Sequence, residues 1–240
     1  MVPGLVLDSW TIIVKEWREW CCIRARFGWG VLILLIVLWS FAAPVLLGGF
    51  SIGSLLVPVV WAALPIILTG AMITDSIAGE RERQTLETLL ASRLPDRAIL
   101  LGKVVAITLL GWLLLALGAL PGILNQALTP DGAVVTPAVM TGMVFGIIAP
   151  TILMIVVAGA LISLYTSSTR FALLLTVAFS GFLMLGVTAL VIGWGNQSGG
   201  AIIEDTAPFL VSAVSITVLD GMLLGWLLMA VHRDRLLAIG

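Results

Sequence analysis

Apolar residues along this chain come in long blocks rather than in alternation. Residues 29–50, 54–74, 98–124, 138–162, 171–194 and 209–231 each form a nearly unbroken hydrophobic run. About 20 such residues cross a hydrocarbon core about 30 Å thick as a helix. Backbone polar groups find no partners in lipid, so runs of this kind are helical; a barrel would show alternating segments of about ten residues. The pattern therefore predicts an all-α fold: a polytopic membrane protein with six transmembrane helices in a single domain, 1–240. The breaks between blocks are short. Residues 125–137 and 195–208 are rich in turn formers, among them Asn125, Pro130, Asp131, Gly132 and Pro137, and "SLYTSSTR" at 163–170 is brief and polar.

Two segments are amphipathic instead. Over 8–27, Trp10, Ile13, Val14, Trp17, Trp20 and Cys21 fall on one stripe at 100° per residue, with Lys15, Glu16, Arg18 and Glu19 opposite. This predicts an interfacial helix, either an anchor alone or an elbow that also touches a partner outside the membrane. The second segment, "SIAGERERQTLETLLASRLPDR" at 76–97, holds eight of the 25 charged residues. Over 77–94 it favours a short helix parallel to the membrane. Leu86, Leu89, Leu90 and Leu94 share one side, Glu80, Arg81, Glu82 and Arg83 make a charged first turn, and Arg83 can pair with Glu87. Pro95 and Asp96 suit the opening of the next helix.

Charge then orients the bundle. All 12 basic residues lie on one side: before the first block, around the junction of the second and third (with Lys103 just inside the third), between the fourth and fifth, or after the sixth. The opposite loops carry Asp131, Glu204 and Asp205 and no Lys or Arg. By the positive-inside rule both termini and the charged segment are cytoplasmic. The net charge of −1 conceals this segregation, and the lack of a basic surface beyond membrane-flanking residues argues against nucleic acid as a partner. Residues 1–28, with both charge signs ahead of a full-length span, do not read as a cleaved signal peptide. Cys21 and Cys22 are adjacent on the reducing side, which argues against a structural disulfide.

Candidate chemistry is sparse. His232 is the one histidine, and no metal-ligand spacing, GxSxG elbow or phosphate-cradling P-loop is present; Gly102-Lys103 is followed by Val104 and lacks the upstream glycine. The chain is thus expected to bind no metal and to be no enzyme. Pro58, Pro65 and Pro150 predict kinks in the second and fourth spans. Gly118/Gly122, Gly142/Gly146 and Gly221/Gly225 are spaced for close helix approach. Asp220 sits in the middle of the sixth span, where a carboxylate costs roughly 2.5–3.5 kcal/mol on insertion scales. It is either a substrate contact or polar lock facing the bundle interior, or a protonated acid bonded to a neighbouring helix.

"AGERERQTLETLLASRLPDRAILLGK", residues 78–103, resembles the signature cytoplasmic loop of type 2 ABC transporter permeases. The match runs through Gly79, Glu80, Arg81, Glu82, Thr85, Leu86, Glu87, Leu89, Leu90, Gly102 and Lys103. The resemblance implies a non-catalytic permease subunit of an ABC exporter in the plasma (inner) membrane, paired with a second permease copy as a homo- or heterodimer. Separate cytoplasmic ABC ATPase subunits, which hold the ATP and Mg, would dock on residues 77–94 as a coupling helix. It assigns docking to Glu80, Arg81, Glu82, Arg83 and Glu87, with Arg170 as a second contact. The competing readings are a secondary transporter, for which Asp220 is the one ionisable group deep in the membrane, and an assembly factor without its own ATPase.

Overall fold

Residues 9–18, 34, 36, 38–40, 56–82, 95–128, 136–166, 168–197 and 207–230 are described by a computed structural model. Every regular element among them is helical. Helix α1 covers residues 9–18. Helix α2, Val57–Glu82, is α-helical over Val57–Thr74, π-helical over Asp75–Gly79 and α-helical again over Glu80–Glu82. Helix α3 is Asp96–Leu128. Helix α4 joins Pro137–Met143, a π segment Val144–Ile148 and Ala149–Tyr165. Helices α5, Thr169–Gln197, and α6, Ala207–Ala230, follow.

Helices α2 to α6 are each long and apolar enough to cross a membrane. The first expected span, 29–50, lies largely outside the described residues, although 34, 36 and 38–40 are helical. The segment expected to be interfacial is helical over 9–18, and its remainder lies outside the described residues, as do 83–94 of the expected coupling helix.

Several edges differ from the sequence pattern. Helix α2 does not stop near residue 74 but carries through the π turn to Glu82. Hydropathy marks where lipid ends, whereas the backbone ladder continues as long as each carbonyl finds an N–H. Pro58 lies in the first turn of α2, where its missing N–H leaves no bond unmade, so it makes no internal kink; Pro65 is the proline inside. Pro150 follows directly on a π segment in which the Ala149 N–H reaches back to the Val144 carbonyl. Helix α3 opens right after Pro95, whose carbonyl accepts from Ala98 and Ile99 at 2.8 and 3.2 Å. Thr136 caps α4 by accepting from the Val139 N–H.

Helix α4 sits in the middle, packed on α2, α3, α5 and α6. Within their apolar stretches, 61%, 72% and 72% of α2, α3 and α4 residues are buried against 22% and 17% for α5 and α6, which places the latter two on the outside. Lipid removes the hydrophobic drive between helices, so contact depends on close fit and polar links. Close fit comes from Gly111, where a Cβ would lie 2.6 Å from Thr69 Cγ2 and 2.8 Å from Ile152 Cγ2, and from Gly159, wedged against Ile73 and Thr176. Of the expected four-spaced glycines, Gly118 is in ordinary contact with Ile36, whereas Gly142, Gly221 and Gly225 face open space in the isolated chain. The polar links are Thr74 Oγ1 donating to Thr176 Oγ1 at 3.2 Å, Trp61 Nε1 to the Ser40 carbonyl at 2.9 Å, and Ser40 Oγ to the Gly118 carbonyl.

Candidate functional site at the charged end of the bundle

About two turns into α3, Lys103 is buried at 2% exposure, a position at which an unpaired ammonium would cost several kcal/mol. Its three N–H donors meet four acceptors. Nζ lies 3.0 Å from Glu16 Oε1, 2.7 Å from Glu80 Oε1, 2.9 Å from Ser76 Oγ and 3.1 Å from the Ser76 carbonyl. The π segment contributes to this set. Within it the Glu80 N–H bonds to the Ile77 carbonyl, and the Ser76 carbonyl receives the lysine. One cation thus ties α1 and the end of α2 to α3.

The residue before it explains how α1 comes so close. A Cβ on Gly102 would lie 2.6 Å from Ile12 Cβ and 3.0 Å from the Ser9 carbonyl, so any other residue would hold α1 off. Ser9 Oγ also donates to the Ala98 carbonyl at 3.3 Å. The docking side of α1 is therefore Ser9, Ile12 and Glu16. This corrects the placement of Glu16 on a polar face: it is buried at 4%, roughly a third of a turn round from Trp10 and Val14, which are exposed. Amphipathic periodicity sorts residues by polarity, and it cannot show that a buried lysine needs an anion.

The charged triplet that follows the π turn divides its contacts among the neighbouring helices. Glu80 pairs with Lys103. The Arg81 guanidinium, partly buried, donates to the Thr166 carbonyl at the C-terminal end of α4. Glu82 Oε1 accepts from the Thr169 backbone N–H at 2.6 Å, which places a carboxylate on the positive end of α5. Arg170 is exposed beside it. Of the residues expected to dock a partner, Glu80, Arg81, Glu82 and Arg170 are thus gathered at one end of the bundle. Arg83 and Glu87 lie outside the described residues. The sequence pattern assigned no site role to Glu16, Ser76 or Lys103, although Lys103 stood in the family match. The available signal was a lysine inside an apolar run, since such a residue is rare without partners.

Asp220 stands apart from this end, midway along α6 and 2% exposed, with neither carboxyl oxygen meeting a hydrogen-bond partner among the described residues. It lines two clefts of about 380 and 370 Å³ between α3, α4 and α6, which share Trp112, Leu153 and Thr217. Trp112 Nε1 donates to the Ala149 carbonyl at 2.9 Å, next to Pro150. No group of three or more metal-ligating side chains occurs among the described residues.

No curated protein and no solved structure matches the chain. A family model does: that of the ABC-2 family transporter proteins matches residues 40–230, a stretch that runs through α2 to α6 and includes the Lys103 junction, the Glu80–Glu82 triplet and Asp220. With that match over most of its length, and with five membrane-crossing helices among its described residues, the chain is a multi-pass membrane protein and belongs to the ABC-2 family of transporter proteins.

Proposed function

We propose that this chain is the permease subunit of an ABC exporter in the plasma membrane, with both termini cytoplasmic. It would couple ATP hydrolysis by separate ATPase subunits to movement of its spans. Family membership supports the permease role and association with such ATPases. Basic residues confined to one side support the orientation. The reading of the coupling route rests on one observation: three consecutive residues, Glu80, Arg81 and Glu82, bond to α3 and through Lys103 to α1, to the end of α4, and to the start of α5. A force applied just past Glu82, where the ATPase would press on residues 83–94, would reach four helices at once. The ATPase, in this reading, carries the ATP and Mg, and a second permease copy completes the membrane unit.

The deciding experiment is co-purification of the ATPase with a Glu82→Lys/Arg170→Glu double variant. Both side chains are exposed at the charged end, so insertion should persist and the ATPase should be lost. Unchanged co-purification would remove the docking assignment. ATP hydrolysis by the co-expressed complex, and none by this chain alone, is the companion outcome.

A further inference from the structure

The two clefts around Asp220 are mostly apolar, and their few polar groups identify what they would hold. Asp220 offers two oxygens with no partner among the described residues. The Thr217 hydroxyl has its proton committed to the Ala213 carbonyl at 2.7 Å, and the Thr108 hydroxyl to the Val104 carbonyl at 2.8 Å. Both threonines line the second cleft and Thr217 lines the first, each with only acceptor lone pairs left. The Trp112 indole N–H is likewise committed to the Ala149 carbonyl, so this residue presents its ring to the clefts rather than a donor. Among the described residues no Lys, Arg or His lines either cleft. Acceptors, an acid and an aromatic face surrounded by Leu, Val and Phe make a site for a cation with N–H donors and an apolar body, and a poor one for an anion.

We propose that Asp220, Trp112 and Thr217 form a mid-membrane site for the primary ammonium head of an amphiphile, with its chain in the flanking apolar clefts. Both Asp220 oxygens are covered at the cleft wall, so the ammonium reaches the carboxylate by a side-chain rotation that uncovers it; seated there against the Trp112 ring, it turns a costly lone carboxylate into an ion pair. A polar head drawn to mid-depth is also what any carrier of such a molecule across hydrocarbon must accommodate. This gives the exporter reading a substrate class and depends on that reading only for its physiological meaning, because binding needs neither nucleotide nor ATPase.

The test is equilibrium binding of radiolabelled dodecylamine to the full chain in nanodiscs of zwitterionic lipid, with empty nanodiscs as the reference. The expected result is a saturable component that excess unlabelled dodecylamine displaces and dodecanol or dodecyl sulfate does not. Asp220→Asn should weaken it by about tenfold or more, the loss of one charge-assisted bond, and Asp220→Glu should retain it. If Asp220→Asn yields no folded protein, Trp112→Leu and Thr217→Val carry the test, each expected to weaken binding by about threefold or more. Absence of saturable binding, equal displacement by dodecanol, or full affinity in these variants would overturn the site. Failure here with intact ATPase co-purification leaves the exporter reading standing, and the converse holds for the ammonium site.

Discussion

At the scale of single residues, Lys103 is held by two carboxylates and a serine, and the arrangement is asymmetric. Glu16 is nearly as buried as the lysine, with side chains at 5% and 2% exposure, whereas Glu80 keeps 20%. Removing the cation strands Glu16 in a dry site, while removing Glu80 leaves an exposed-edge partner missing. Lys103→Met is therefore expected to destabilise the chain by about 3–5 kcal/mol, and Glu80→Gln by distinctly less. Thermal unfolding in detergent reads both. A Glu16→Gln/Lys103→Met double-mutant cycle should return a coupling of about 0.5–3 kcal/mol, the sign of direct contact. Gly102 gives a second test. Gly102→Leu forces α1 away from α3 and should cost about 1–3 kcal/mol, whereas Gly142→Ala, with open space around it, should be neutral or gain up to about 1 kcal/mol from helix propensity. A clear loss at Gly142 would instead report a contact with a second subunit.

At the scale of elements, hydrophobic run length revealed the membrane helices and left their ends open. The blocks 98–124 and 138–162 sit within α3 and α4, but α2 extends eight residues past the expected edge at 74 because a π turn carries the helix on through Asp75 to Gly79. No composition signal marks a π turn, since it is a matter of backbone register. The same limit applied to α1, whose polarity stripe was legible and whose docking side was not. The Gly102-Lys103 pair was visible only as part of a family resemblance until the structure supplied a physical role for each member. Register makes a prediction of its own. A π turn holds one residue more than an α turn, so deleting Ala78 should restore α-helix while leaving Glu80–Glu82 facing their partners, at a cost of about 1 kcal/mol for the lysine–Ser76 bond. Deleting Ala71 from the regular part of α2 turns the triplet by about 100° and should break all its contacts. Thermal unfolding of the two deletion variants should differ accordingly.

At the scale of the whole molecule, a well-packed centre of α2, α3 and α4 carries two outer helices, α5 and α6, that bury little of themselves in the chain. In the proposed transport cycle the outer helices are the ones free to change place, and the Arg81 and Glu82 contacts at the α4–α5 turn are the grip on α5. Arg81→Gln should then leave ATPase binding and hydrolysis intact in the complex but weaken the link to the spans about tenfold, a loss of about 1.4 kcal/mol. The measurement is labelling of Thr217→Cys by a thiol reagent, with Cys21 and Cys22 replaced by Ser. Its rate should respond to ATP and Mg in the parent protein and respond little when Arg81 is changed.

The chain order of the Lys103 cluster bears on how the protein is made. Synthesis runs from the N-terminus. Glu16, Ser76 and Glu80 have therefore all left the ribosome before Lys103 does, so the anions await the cation and α3 can be admitted to the bilayer with its charge already matched. Asp220 comes last and meets no such reception among the described residues. Truncating the nascent chain before α3 should leave Glu16 and Glu80 mutually repelling, and the first two segments unlatched until Lys103 arrives. The lysine would serve as the closing stitch of early assembly, which predicts that Lys103→Met lowers membrane yield more in pulse-labelled chains than its effect on the finished protein accounts for.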